Sequence, residues 1–159
     1  MREELSKRIS KNALTVWRIY GIISGVIVLL LAIGVSIATF IFNWPIWIIL
    51  LAFGLFVIDV IYSVILRPNL KWKRWKYEVR DQEIELQYGL FTIKRTLIPM
   101  IRVQHVDMKQ GPILKKYKLA SISISTAGGF HEIPALDENE AEELRYLISS
   151  LARVADEDV

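Results

Sequence analysis

The chain has 159 residues, 53% of them hydrophobic, and its mean hydropathy of +0.34 is high for a soluble protein. It contains no cysteine, which excludes disulfides, zinc-thiolate sites and cysteine nucleophiles. The formal net charge of +3 is modest, but charged and apolar residues are segregated, because residues 19–66 hold a single charged side chain, Asp59.

Two uncharged or nearly uncharged runs, residues 19–42 and 46–66, are each long enough to cross a hydrocarbon core of roughly 30 Å as a helix. Asn43 and Pro45 lie between them and favour a tight turn. Trp44 and Trp47 are typical of the membrane–water interface. The sequence therefore predicts a two-helix transmembrane hairpin over residues 19–66.

Basic residues flank both ends of this hairpin, whereas the turn carries no charge. By the positive-inside tendency, we expect a multi-pass protein of the cell (cytoplasmic) membrane with both termini in the cytoplasm. Two alternatives are a buried hairpin in a soluble protein and a signal peptide cleaved near residues 36–38. The flanking bases are Arg2, Lys7, Arg8, Lys11 and Arg18 before the hairpin, and Arg67, Lys71, Lys73, Arg74 and Lys76 after it.

Three positions within the hairpin are candidates for membrane assembly. Gly21 and Gly25 share one helical face, and small residues at this spacing let two helices approach closely. The partner helix could belong to the same hairpin or to another subunit. Asp59 is an intramembrane carboxylate, which is costly and suggests a structural, assembly or transport role.

A basic aromatic segment follows the hairpin at residues 67–76. Its alternation of tryptophans and cations suits anionic headgroups at the membrane surface better than nucleic acid. Simple positive-inside anchoring and specific lipid recognition both remain open. The candidate lipid or partner contacts here are Lys71, Trp72, Lys73, Arg74, Trp75 and Lys76.

From residue 75 the apolar period becomes two, which predicts half-buried strands at residues 75–79, 84–88, 90–98, 101–108, 120–126 and 130–133. Asp137 then precedes an amphipathic helix as its N-cap, with Glu140 as the capping-box partner. Ala141, Leu144 and Ile148 belong to one apolar stripe on that helix, together with Leu151. Consecutive strands followed by one helix predict an α+β domain or a capped barrel.

No arrangement of nucleophile, base and oxyanion donors is recognisable in the sequence, so we predict no catalytic residues, no metal ligands and no cofactor. His105 and His131 fit no familiar zinc spacing and are interpreted as structural or surface residues. Arg102 and Gln104 are expected on one face of a strand. They are candidate partner or lipid contacts, although a solvated polar face is the simpler interpretation.

Several segments resemble the bacterial pleckstrin-homology-like family, second subtype, whose domains flank membrane helices. They are Tyr88-Gly89-Leu90-Phe91, Ile98-Pro99-Met100-Ile101-Arg102-Val103-Gln104-His105-Val106, Gln110-Gly111-Pro112 and the strand at residues 121–127. The resemblance implies a bent antiparallel sheet or barrel capped by the last helix. It also implies partnership with a larger membrane protein that carries several similar domains, in envelope-stress or antimicrobial-peptide-protection systems.

We therefore expect a membrane α-hairpin joined to an α+β, pleckstrin-homology (PH)-like soluble domain. The leading hypothesis is a non-enzymatic, membrane-anchored interaction module. We expect it to contact the lipid bilayer and a protein partner, to bind no nucleic acid, and to be able to form oligomers. The alternatives are an anionic lipid headgroup sensor and an accessory subunit of a transporter or membrane enzyme. The expected segments are a basic N-terminus at 1–18, the hairpin at 19–66, the membrane exit at 67–76, the PH-like domain at 77–154 and an acidic tail at 155–159.

Overall fold

The computed structural model describes residues 5–157 and divides the chain into two compact units. The helical unit covers residues 14–70. The second unit combines the N-terminal residues up to Ala13 with the chain from Lys71 onward. Arg2 in the predicted basic flank, and residues 158–159 of the predicted acidic tail, lie outside the described residues.

The predicted hairpin is formed by two long helical stretches joined by a short turn. Helix α1 runs over Asn12–Ile41, about 45 Å at 1.5 Å per residue. The second stretch begins with α2 at Trp47–Val60 and continues without interruption to the end of α3, Arg67–Arg74. Asn43 adopts a positive φ of 51° in the turn, a conformation that asparagine tolerates better than most residues.

Both stretches are long and apolar enough to cross a membrane, and their apolar side chains are exposed. Only 17% of the most apolar window of the first stretch and 6% of that of the second are buried. A core helix of a soluble protein would bury most of this surface, so the exposure favours contact with lipid.

The second helical stretch passes through Pro68 because the preceding turn is a π-helix, Ile61–Leu66. The Arg67 N–H donates to the Tyr62 carbonyl, five residues back. Proline lacks an N–H and its ring clashes with the carbonyl four residues earlier, and a widened turn accommodates both defects. The predicted hairpin ended at residue 66, whereas the helix continues to Arg74.

The second unit contains two antiparallel sheets and a long C-terminal helix. The first sheet has the order β1-β2-β3-β4 and the second has the order β5-β6-β7. A 3₁₀ turn, Met100–Arg102, connects the two sheets. The strands are β1 Lys7–Arg8, β2 Lys76–Val79, β3 Glu83–Tyr88, β4 Lys94–Pro99, β5 Val103–Lys109, β6 Leu119–Thr126 and β7 Gly129–Asp137.

Two further helices complete this unit. The short α4, Pro112–Lys116, connects β5 to β6, and α5, Glu138–Glu157, follows β7 directly. The predicted apolar stripe of α5 is confirmed, because Ala141, Leu144 and Ile148 are buried. The core also contains Met100 of the 3₁₀ turn and fully buried residues of both sheets, among them Tyr77, Ile84, Leu86, Ile122, Ile124, Ile133 and Leu136.

One strand boundary was predicted wrongly. The strand expected at 90–98 begins only at Lys94, because residues 89–93 form a loop. The carboxylate of Glu140, the predicted capping-box partner, accepts a hydrogen bond from the Tyr77 hydroxyl, 2.7 Å away, and so ties α5 to β2. Burial, reinforced by this hydrogen bond, raises the pKa of Tyr77 far above its usual value.

Candidate interaction surfaces

A groove of about 540 Å³ lies between β5 and the C-terminal half of α5, and we call it the β5–α5 groove. Strand β5 is an edge strand that pairs with β6 on one side. One wall carries Gln104 and His105, and the other carries Arg153 and Asp156. All four of these polar side chains are exposed. The groove therefore combines a sheet edge with groups that can donate, accept or pair with charge.

Ile101 lines this groove and also a second groove of about 530 Å³, which lies between the C-terminal half of α5 and the β2–β3 turn. Half of its surface is exposed (50%), as is that of Val154 in the second groove (55%). Such side chains gain about 25 cal/mol for each Å² that a partner covers. The region around Ile101 is thus an apolar centre with a polar rim, which is the usual anatomy of a protein-binding patch.

Arg102 and Gln104 do not share a strand as expected. Arg102 ends the 3₁₀ turn, whereas Gln104 is the second residue of β5. Both are exposed, but only Gln104 lines the β5–α5 groove. The predicted pair therefore brackets the start of the edge strand.

Some side chains of the basic aromatic segment are exposed to solvent, and others pack against the domain. Lys73 is exposed, whereas Lys71 and Lys76 are partly buried and have interactions with other groups. Arg74 donates from Nη1 to the Phe91 carbonyl at 3.0 Å. Trp75 is not available as a surface contact, because it is 6% exposed and stacks on Tyr88.

Trp72 holds the N-terminal segment instead of projecting freely. Its Nε1 donates to the Ser10 carbonyl at 3.2 Å, and the Arg8 guanidinium lies 6.0 Å from its ring centroid. Strand β1 pairs with β2, and Leu5 and Ile9 are buried. The sequence analysis interpreted this segment only as a basic flank, although two apolar residues four apart in a basic run were a signal of packing.

Paired carboxylates on the first sheet are neutralised by arginines. Glu78 and Glu85 face each other across β2 and β3, and Arg80 lies 3.3 Å and 4.0 Å from them. Arg80 also contacts Glu83 at 3.2 Å, and its pKa is raised, chiefly by Glu78. Arg80 therefore ties the carboxylates of the two strands together across the sheet.

Gly21 and Gly25 of α1 pack within the hairpin. A Cβ added to Gly21 would lie 2.6 Å from the Ser63 carbonyl oxygen, and the Ser63 hydroxyl donates to the Gly21 carbonyl at 3.5 Å. A Cβ on Gly25 would lie 3.3 Å from Val60. The helices therefore cross closely at this end. Asp59 is partly buried, and its Oδ2 has no hydrogen-bond partner among the described residues.

The comparisons with known proteins agree with this architecture. A family model described as "Bacterial PH domain" matches residues 18–152. UPF0699 transmembrane protein YdbS of Bacillus subtilis (strain 168) is 46% identical over the full length of both chains. UPF0699 transmembrane protein YdbT of the same organism is 29% identical over 98 residues, which are 58% of this chain and 20% of that protein.

Among solved structures, the PH domain of USP37 matches 51% of this chain and 78% of its own, with 13% identity and a TM-score of 0.38. The assignment rests on the family match and the full-length relative, together with the two exposed apolar helices and the two antiparallel sheets followed by α5. This chain is a transmembrane protein that belongs to the bacterial PH-domain family.

Proposed function

We propose that this protein is a non-enzymatic, membrane-anchored interaction module whose β5–α5 groove binds a larger membrane protein that contains a similar domain. The observation that carries the proposal is the edge strand β5 beside an open groove with an exposed apolar centre at Ile101. An edge strand offers backbone N–H and C=O groups to an added strand, while pockets beside it select side chains.

The choice of partner is supported by the second relative. The segment that resembles this chain makes up 20% of YdbT, so a larger protein carries a similar sequence. Two similar domains present similar sheet edges, and pairing of like edges is a common way for related chains to associate. Participation in envelope-stress or antimicrobial-peptide protection is part of the same proposal and rests on the family resemblance alone.

The proposal also places both termini in the cytoplasm. Residues 7–8 pair with residues 76–77, so both ends of the hairpin lead into one sheet, which is consistent with their lying on one side of the membrane. The basic residues at these ends favour the cytoplasmic side.

Co-purification of the tagged full-length chain from its native membrane in mild detergent tests the interaction. We expect a larger membrane protein with a PH-like domain, identified by mass spectrometry, to accompany the wild-type chain. Ile101→Asp should abolish this recovery, because it places a charge at the apolar centre of the patch.

Leu97→Asp is the matched control. Leu97 is 53% exposed, close to the 50% of Ile101, but lies on β4, the edge of the other sheet. This variant should retain the partner. Recovery of a monomer or of a homo-oligomer alone from the native membrane, or equal binding by both variants, would contradict the proposal.

A further inference from the structure

The loop between β3 and β4, residues 89–93, carries exposed apolar side chains at its tip, and we call it the β3–β4 loop. Phe91 is 79% exposed and Ile93 is 54% exposed. Lys94 and Arg95 follow directly and are also exposed. Large apolar side chains bordered by cations match the chemistry of a membrane surface, where hydrocarbon lies beneath anionic headgroups.

The strand order places this loop at a particular end of the first sheet. Strands β1 to β4 are consecutive neighbours and all pair antiparallel. In such a sheet the β1–β2 and β3–β4 connections leave at one end, and the β2–β3 connection leaves at the other. The β1–β2 connection contains the transmembrane hairpin, so the β3–β4 loop leaves the sheet at the end to which the hairpin is joined along the chain.

One contact holds the loop against the segment that precedes β2, and a second holds the end of β3 beside it. The Arg74 guanidinium donates to the Phe91 carbonyl at 3.0 Å, and the rings of Trp75 and Tyr88 stack with centroids 5.6 Å apart. Arg74 and Trp75 belong to the segment that joins the hairpin to β2. The loop therefore packs against the part of the domain that directly follows the hairpin in the chain.

The backbone of the loop is constrained before any ligand binds. Gly89 has a φ of +136°, and a Cβ there would overlap the carbonyl oxygen of Thr92. At the base of the loop, the Tyr88 hydroxyl lies 3.4 Å from the hydroxyl of Thr96. A preformed tip loses little conformational entropy on binding.

From these observations we infer that the β3–β4 loop inserts Phe91 and Ile93 into the surface of an anionic bilayer, with Lys73 and Lys94 at the headgroups. Both lysines are exposed, and each cation near such a surface strengthens attachment. A bilayer is the occupant favoured by the chain topology, since the hairpin is joined to the same end of the sheet as the loop. This inference does not depend on the partner proposed for the β5–α5 groove.

The absence of cysteine allows a site-specific test on the full-length chain. Thr92→Cys places an environment-sensitive nitrobenzoxadiazole probe at the loop tip and leaves Phe91 intact. Asp81→Cys is the control, because Asp81 is exposed in the β2–β3 turn, roughly 20 Å away at the opposite end of the sheet. Both labelled chains are reconstituted in nanodiscs that contain lipids with a nitroxide near the headgroup.

We expect blue-shifted emission and nitroxide quenching for the probe at position 92, and water-like emission without quenching at position 81. Quenching should be stronger in an equal mixture of phosphatidylcholine and phosphatidylglycerol than in phosphatidylcholine alone. Lys94→Gln should lower the ratio of inserted to free loop about fivefold, and Phe91→Ser should abolish the quenching.

Water-like emission at position 92 in both lipid compositions would overturn the inference. So would quenching that Phe91→Ser leaves unchanged, because the probe would then report proximity alone. The scaffold belt is the other protein in the nanodiscs and is the same for positions 92 and 81, so quenching confined to position 92 does not come from a protein partner. A signal that requires added membrane extract would assign the loop to protein binding instead.

Discussion

Gly21 lies where the two membrane helices approach closely, and its replacement by alanine gives a direct measure of that approach. The added Cβ would lie 2.6 Å from the Ser63 carbonyl oxygen and 3.2 Å from the Val64 Cα. These are backbone atoms, so no side-chain rotation relieves the overlap. Restoring an ordinary contact of 3.4 Å requires the helices to separate locally by about 0.8 Å.

The expected cost follows from two opposing effects. Overpacking of this kind lowers the free energy of unfolding by about 1–3 kcal/mol, whereas the higher helix propensity of alanine over glycine raises it by up to about 1 kcal/mol. Gly34→Ala is the matched control, since a Cβ there would meet no atom within 4 Å. Gly25→Ala is intermediate, because the Val60 side chain, 3.3 Å away, can yield. We expect stability in the order Gly34→Ala, Gly25→Ala, Gly21→Ala.

Helix separation can be followed by energy transfer between dyes on cysteines introduced at the exposed positions Tyr20 and Leu66. The full chain in mild detergent is titrated with a denaturing detergent, and the midpoint is compared among the three variants. Gly21→Ala should separate at a distinctly lower fraction of denaturing detergent than Gly34→Ala. Coincident curves for these two variants would refute the close crossing at Gly21.

Further predictions concern the folded domain and the membrane carboxylate. Tyr77→Phe should lower the free energy of unfolding by about 1.5–3 kcal/mol in a denaturant titration at neutral pH, because the Glu140 carboxylate loses a charge-assisted donor. Because the pKa of Tyr77 is raised in the folded state, its contribution to stability is complete below the ordinary tyrosine pKa of 10.0 and is lost as the pH rises above it, where the unfolded chain ionises first. Tyr77→Phe should therefore flatten the decline of the free energy of unfolding at alkaline pH. Asp59→Asn should leave the hairpin as stable as the wild type, or more stable, in the same dye assay. The reason is that Oδ2 has no hydrogen-bond partner among the described residues and that an ionised carboxylate is costly in a bilayer. Destabilisation would instead indicate that Asp59 makes a polar contact in the membrane. Gly89→Ala should distort the β3–β4 loop and reduce quenching of the probe at position 92, with circular dichroism confirming that the remaining domain is folded.

The transmembrane hairpin was predictable because its signal is local and large. Residues 19–66 carry one charge, and a bilayer accepts such a segment only as helices whose backbone groups are satisfied internally. The alternation in the second half of the chain likewise predicted the strands, and the stripe of Ala141, Leu144 and Ile148 predicted the packed face of α5. Each of these patterns involves residues that are only a few positions apart, so it can be recognised in the sequence alone.

Contacts between distant segments were not predictable in this way. Leu5 and Ile9 belong to the core of a domain whose other strands begin at Lys76, after the whole hairpin has intervened. Trp75 lies in a segment whose composition is typical of a membrane surface, yet its ring stacks on Tyr88 inside the domain. A tryptophan fits both environments, so its place depends on which neighbours the fold supplies.

By itself, the sequence determined which segments enter lipid and which fold outside it, because transfer of apolar side chains from water depends on their composition and length. The tertiary structure alone decided which edge of which sheet lies open, which glycine faces a neighbouring backbone, and which loop lies beside the membrane exit. Those features depend on strand order and register, and the residues that they bring together are up to 127 positions apart, as Ser10 and Asp137 are.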